Sequence, residues 1–371
     1  MATIKLPPIL QPFSVTTLPK IHPHFDVDNP ETDAFEVATR SYADRFKLYP
    51  DELQRQRLFK QGTAHLTALI YPVGRDELLQ IGVDFMMWAF AFDDEYCDEG
   101  PLSRDPEAFI RIATEIQRTT ESPEYGVSND RYASAMRDLI QRLQLYASPA
   151  EVGRFVDGVR TYMIVEMWKA VTPKPSLNDY VYMRLYGGGA WAIPLLCHVI
   201  AGVNISQNEY ENRRVRALAE MMASLAPWDA DPYSYIKESM RPGAEKEHNL
   251  ITVIRRQFGY SFEQSIAYYL EMRARLISLF RRLHAVVYAD ASPAVRTYVD
   301  GLIAYYVGVA AWCHSCRRYT SSSGLESSGA FEGGGLIDAA PEESFEPLGL
   351  PSVDWWWEYD PARTRCLQKT P

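Results

Sequence analysis

Cysteine is scarce in this chain. Five among 371 residues make no disulfide framework. The one close pair, in Cys313-His314-Ser315-Cys316, lacks the second pair of ligands that a structural zinc site needs. Long apolar runs are missing as well. The stretches 190–203 and 302–313 are short or interrupted by Pro194 and His198, so no membrane span is expected. No run of basic residues occurs and the net charge is −10, which excludes the electrostatic footprint of a nucleic-acid binder. Residues 1–15 carry one lysine and three prolines without a continuous apolar core, matching neither a secretory signal nor a transit peptide. The expectation is a soluble, cytoplasmic protein. Period-two alternation of apolar and polar residues is nearly absent, which removes half-buried strands from the reading.

What remains is helical. With 47% hydrophobic and 23% charged residues the chain can bury a large core as one body. Helical patterns predict segments at 31–48, 50–60, 76–98, 105–120, 129–146, 149–171, 177–186, 191–201, 207–224, 233–239, 249–259, 261–288 and 292–319. The fold class is therefore all-α, a helical bundle. Residues 1–30 are proline-rich and irregular, 31–319 form the helical domain, and 320–371 form a Gly/Ser-rich linker with a Trp-rich tail. Three consecutive tryptophans, Trp355 to Trp357, would be an aggregation liability in water, so the tail is expected to pack back onto the body.

The pattern is organised around Phe92-Asp93-Asp94-Glu95-Tyr96-Cys97-Asp98-Glu99, which places five acids at the end of an apolar helix with Gly100-Pro101 as its stop. Carboxylates at a helix C-terminus oppose the macrodipole and repel one another, at a few tenths of a kcal/mol to about 1 kcal/mol each. A cation should compensate, and hard carboxylate oxygens suit Mg²⁺ or Mn²⁺. The plain alternative is a solvated acidic loop. In an α-helix Asp94 and Asp98 share a face, whereas Asp93 and Asp98 stand roughly 140° apart.

A second informative stretch is Trp228-Asp229-Ala230-Asp231-Pro232-Tyr233-Ser234-Tyr235-Ile236-Lys237-Glu238. Pro232 suits the first turn of a helix, with Asp231 as its cap. Ser234 and Glu238 then share a face with Asp231, and the three offer oxygen ligands with Lys237 beside them. An ordinary capping arrangement is the plain alternative.

Together these motifs resemble those of microbial class I terpene synthases, a DDxxD-type motif followed by an NDxxSxx(R/K)E-type motif on a facing helix. Arg184, 46 residues before Ala230, is similar to the family's diphosphate-sensing arginine, and Gly187-Gly188-Gly189 follows where its helix breaks. His248-Asn249-Leu250, Tyr71-Pro72 and the spacing of Trp312 from Arg318-Tyr319 are also similar to the family. The chain departs at two points. The first motif runs Asp93-Asp94 to Asp98, one residue longer than usual, and Ala230 stands where the first ligand of the second motif is usually Asn or Asp.

The resemblance implies a single-domain bundle around a central active-site cavity. It implies Mg²⁺-dependent ionisation and cyclisation of a linear prenyl diphosphate, farnesyl diphosphate first among them, to a sesquiterpene. Three Mg²⁺ ions are expected, with Mn²⁺ as a substitute. The metal ligands are expected among Asp93, Asp94, Asp98, Asp231, Ser234 and Glu238, with Asp93 principal. Asp229 or a shifted Asp231 would replace the ligand missing at Ala230, or a third metal site is weakened. Arg184, Lys237, Arg318 and Tyr319 would hold the diphosphate, and Asp93, Arg184, Glu238, Arg318 and Tyr319 form the catalytic set. Phe85, Ala89, Phe90 and Trp312 are candidates for the wall that shelters the hydrocarbon cation. Two other readings stand beside this one, a chain-elongating prenyltransferase and a non-catalytic helical binding protein, the latter favoured by Ala230 alone. A homodimer is left open.

Overall fold

A computed structural model describes residues 4–13, 17–126, 128–239, 247–321, 325 and 331–363. The helices run α1 Ala34–Phe46, α2 Glu52–Phe59, α3 Thr63–Ile70, α4 Asp76–Phe92, α5 Pro106–Glu121, α6 Arg131–Leu143, α7 Pro149–Val171 and α8 Leu177–Tyr186. They continue as α9 Ala192–Ile200, α10 Gln207–Tyr210, α11 Arg213–Ser239, α12 Leu250–Phe258, α13 Phe262–Asp290, α14 Pro293–Ser315 and α15 Arg317–Thr320. Caps explain many of the starts. Ser148, Ser176, Ser206 and Ser261 each close a capping box at the head of α7, α8, α10 and α13. Among the described residues no helix is long and apolar enough to cross a membrane.

Two helices form the middle of the bundle. The first, α4, packs against α1, α3, α6 and α9, and α11 packs against α8, α12, α13 and α14. Both are buried on nearly every face; α4 is mostly apolar, whereas α11 carries buried charges such as Glu220, Asp229 and Asp231. The sequence pattern predicts a break between 224 and 233, with Asp231 capping a new helix. Instead α11 runs unbroken from Arg213 through Pro227 and Pro232 to Ser239. Each internal proline costs about 3 kcal/mol of helix propensity, and four neighbouring helices outweigh that cost. The eight-residue α3 was not predicted; it is short, and its core face includes Leu66 and Ile70.

A buried polar knot holds α11 in register. Asp229 accepts hydrogen bonds from Tyr269 at 2.6 Å, Tyr306 at 2.8 Å and Arg273 Nε at 2.9 Å. The Arg273 guanidinium also donates to the Leu10 carbonyl at 2.6 Å, which ties the N-terminal segment to α13. Both charged partners are almost without solvent contact. Removing one member of such a pair would strand the other charge in a low-dielectric core.

The N-terminal segment meets the segment that follows the helical body. The expected irregular N-terminal segment contains β1 Ile4–Leu6 and β2 Ile9–Leu10, which pair in parallel with β3 Phe331–Gly333 and β4 Leu336–Ile337. Of the Gly/Ser-rich stretch 321–329, only Ser321 and Leu325 lie within the described residues. The Trp-rich segment packs against α11, with Trp356 and Trp357 fully buried. Trp356 Nε1 donates to Glu220 at 2.9 Å, and the Arg213 guanidinium lies 3.8 Å from the centre of the Trp355 ring. Trp356→Ala is expected to destabilise the fold by about 3–5 kcal/mol through the cavity it leaves, measured by denaturant unfolding. A loss below about 1 kcal/mol would show that the tail does not support the body.

Candidate active site

The acidic end of α4 is not α-helical. After Phe92 the backbone continues as a π-helical turn over Asp93–Glu99. A turn closed i→i+5 brings residues five apart onto one face, so Asp93 and Asp98, which an α-helix would hold roughly 140° apart, both point into one cleft. The extra residue in the motif is absorbed by this wider turn. Gly100 ends it, since a Cβ there would collide with the Glu95 carbonyl oxygen.

The other acids of the motif fan outward. Asp94 is buried and does not line the cleft; Arg318 donates two hydrogen bonds to it at 2.7 and 2.9 Å, and Gln54 a third at 2.8 Å. Burial alone would raise its pKa, but the Arg318 and Lys237 charges outweigh burial and hold the carboxyl at about 2. Glu95 accepts from Tyr132 at 2.8 Å and pairs with Arg131. Glu99 lies 3.3 Å from Lys237. Among the described residues no hydrogen bond reaches Asp93, and its nearest cations, Lys169 and Arg318, are both 3.9 Å away. Burial, reinforced by Asp98 and Glu166, pushes its pKa up to about 7.

Across the cleft stands the C-terminal end of α11. Asp231, Ser234, Lys237 and Glu238 all line the cleft, as do Tyr180 and Arg184 from α8, Arg318 and Tyr319 from α15, and His248. Asp231 already has its oxygens engaged. It accepts from Arg184 at 3.0 Å, from the Leu250 amide at 2.7 Å and from the Tyr180 hydroxyl. Asp231 is therefore a mid-helix anchor for Arg184, not a cap. Asp229 sits in the Arg273 knot and does not reach the cleft, so it cannot replace the ligand absent at Ala230.

Two residues of the site, Glu166 and Lys169, carry no motif signal in the sequence. Glu166 on α7 accepts from the Gly188 amide at 3.0 Å, at the break after α8 where Gly188 and Gly189 adopt positive φ. Its second oxygen has no hydrogen bond although buried. Lys169, one turn on, lies 3.0 Å from Asp98 and 3.4 Å from Glu166. Burial would lower its pKa, but the surrounding carboxylates drive it well above the usual lysine value. Asn249 caps α12 through its carbonyl oxygen, while its amide nitrogen lies 3.0 Å from Ser234 Oγ and 2.9 Å from Glu238 Oε2. It orients both side chains toward the cleft. His248 Nε2 donates to the Thr172 carbonyl, 2.8 Å away, and burial lowers its pKa to about 4.

None of the predicted wall residues lines the cleft itself; they lie along α4 and α14. Phe90 stacks on Trp312 at 5.4 Å, under the Arg318 guanidinium at 5.1 Å. Trp312 is fixed by its hydrogen bond to the Gln61 carbonyl at 3.0 Å. Phe85 is buried with its ring edge beside Gly189, and Ala89 is buried one turn on.

The donor set suits a divalent cation. Oxygens of Asp93 and Glu166 and the Cys97 sulfur lie within 4.8 Å of one another. The carboxylates are hard ligands, while burial drives the Cys97 thiol well above its usual pKa and keeps it neutral. A half-buried carboxylate without hydrogen bonds, beside two others, is a site short of positive charge.

The sequence matches the family described as terpene synthase family 2, C-terminal metal binding, over residues 84–278. It is 30% identical over 333 residues to (+)-(1(10)E,4E,6S,7R)-germacradien-6-ol synthase of Streptomyces pratensis, covering 89% of this chain and 93% of that protein. It is 26% identical to 4-epi-cubebol synthase ((2E,6E)-farnesyl diphosphate cyclizing) of Streptosporangium roseum, covering 86% and 93%. The fold is similar to the crystal structure of SVS_A2, a protein from ancestral sequence reconstruction, with a TM-score of 0.79, 27% identity and coverage of 95% of this chain and 99% of that one.

Asp93 also sets a pH dependence. A carboxyl whose folded pKa is raised binds its proton more tightly in the folded state. Its contribution to stability is present below the ordinary value of about 4 and is lost as pH rises toward the folded value of about 7. In EDTA, Asp93→Asn should therefore raise the melting temperature at pH 8 and change it little at pH 5. A lower melting temperature for the variant at pH 8 would show that the Asp93 charge is already satisfied.

Proposed function

The chain belongs to terpene synthase family 2, and on that premise we propose that it ionises and cyclises farnesyl diphosphate to a sesquiterpene, releasing diphosphate. The observation that carries this reading is the facing of two oxygen-ligand sets across one cleft, with basic side chains between them. Asp93 and Asp98 stand on one side and Ser234 and Glu238 on the other, with Arg184, Lys237 and Arg318 around them. Relatives that cyclise farnesyl diphosphate by name support the chain length.

In this reading Asp93, Asp98, Ser234 and Glu238 hold Mg²⁺, with three ions expected and Mn²⁺ as a substitute. Asp94 and Asp231 leave the ligand set, because each is occupied in fixing an arginine, Arg318 and Arg184 respectively. The bound ions stabilise the negative charge that grows on the departing diphosphate. The chain's own work is to place further charge there in advance. Arg184 and Arg318 are held rigidly by buried carboxylates, so their remaining N–H groups meet the diphosphate with no reorganisation. Lys237 sits on the same rim and Tyr319 supplies a hydroxyl. Phe85, Ala89, Phe90 and Trp312 do not line the described cleft; they are the proposed apolar wall, whose aromatic faces can stabilise the cation that remains.

Ala230 removes one oxygen from the α11 side, and neither neighbouring aspartate takes its place. Metal affinity on that side should be weaker than on the side of Asp93. No observation favours chain elongation, since Ser234, Lys237 and Glu238 stand where a second aspartate-rich motif would be needed.

Incubation with geranyl, farnesyl and geranylgeranyl diphosphates, each with Mg²⁺ and with EDTA, is expected to give a metal-dependent C15 product from farnesyl diphosphate by gas chromatography and mass spectrometry. Asp93→Ala and Glu238→Ala should each lower turnover by about 10²-fold or more with the helical circular dichroism unchanged. Products of elongation, or turnover unaffected by EDTA, would refute the reading.

A further inference from the structure

Lys169 belongs to none of the motifs, yet it is the cation nearest the cleft side of the acidic turn. Its ammonium lies among three carboxylates, 3.0 Å from Asp98, 3.4 Å from Glu166 and 3.9 Å from Asp93. It reaches them from α7, a helix that carries no other charged cleft residue except Glu166. Only the Asp98 contact is a hydrogen bond. Glu166 is held by charge and Asp93 barely at all. Arg184 and Arg318 are clamped by bidentate or buried partners, whereas Lys169 is a point charge on a flexible four-carbon stem, free to turn within the cleft.

The same oxygens are those a divalent cation needs. When such a cation takes Asp93 and Asp98, the ammonium loses its hydrogen-bond partner and two of its three counter-charges. The ammonium is then left with Glu166 as its single counter-charge and one hydrogen-bond partner fewer, which is costly for a partly buried cation. The nearest new anion is the diphosphate that binds with the metal. We propose that Lys169 is a further diphosphate-binding residue, held by the acidic turn in the metal-free state and transferred to the diphosphate when metal occupies Asp93 and Asp98. It adds a mobile positive charge to a site that lacks one ligand at Ala230. This inference rests on the reading of the cleft as a metal and diphosphate site.

The test uses inorganic pyrophosphate and Mn²⁺, with no turnover involved. By calorimetry and Mn²⁺ paramagnetic resonance, Lys169→Gln should bind pyrophosphate about tenfold more weakly at saturating metal. It should bind Mn²⁺ alone more tightly, because a competing cation is gone. Lys169→Arg, which keeps the charge, should restore pyrophosphate binding to within about threefold of the wild type. Pyrophosphate binding equal to the wild type in Lys169→Gln would overturn the role of Lys169 and leave the cleft assignment standing. A wild-type protein that binds neither Mn²⁺ nor pyrophosphate would overturn the cleft assignment itself. Should Lys169→Gln fail to fold, a crystal structure of the wild type with Mg²⁺ and pyrophosphate decides. Lys169 Nζ is expected at about 2.8 Å from a phosphate oxygen; an ammonium still on Asp98 would overturn the proposal.

Discussion

Six carboxylates and four basic side chains line one cleft, and the repulsion among those carboxylates governs how the rest of the site is built. Several acids of the cleft and of the acidic turn beside it acquire a cation from a facing helix. Asp94 takes Arg318, Asp231 takes Arg184, Glu99 takes Lys237 and Asp98 takes Lys169. Asp93 is left with two distant cations and a raised pKa. The pairing draws α4, α7, α8, α11 and α15 together at one end of the bundle. It also leaves the first acid of the motif as the place where added positive charge does most.

Such a cleft needs helices that do not yield to it. The frame comes from α11, buried on all sides and pinned through Asp229 to α13 and α14. That buried pair stabilises the registry of the helix more than its free energy, since a hydrophobic replacement could pack as well. The same arginine reaches the Leu10 carbonyl, and the N-terminal strands are in turn paired with the strands before the Trp-rich tail. These two segments, far from the motifs in sequence, thus brace the outer side of the helix that presents Ser234 and Glu238.

The helical class and most segment ends were legible in the sequence, because helix periodicity and capping residues are local signals, whereas the facing of the two acidic stretches was implied only by the family resemblance of their motifs. The π-helical turn was not. Spacing showed that Asp93 and Asp98 cannot share an α-helical face, but not that the backbone would widen to bring them together. The continuity of α11 through Pro227 and Pro232 was also hidden, since it depends on four packed neighbours. Asp94 and Asp231 stand at ligand positions of the motifs, and the side chains that hold them in the structure, Gln54 with Arg318 and Tyr180 with Arg184, come from distant parts of the chain. Glu166 and Lys169 sit in a mixed helix with no punctuation around them, and only three-dimensional proximity to Asp98 marks them.

The central claim is that two ligand sets on facing helices hold metal and diphosphate between them. Anomalous scattering from Mn²⁺ in crystals grown with pyrophosphate tests it most directly. The account predicts peaks beside Asp93 and Asp98 and beside Ser234 and Glu238, with the second set weaker because Ala230 supplies no ligand. Pyrophosphate bound without a peak at Asp93, or metal bound only at other residues, would contradict it.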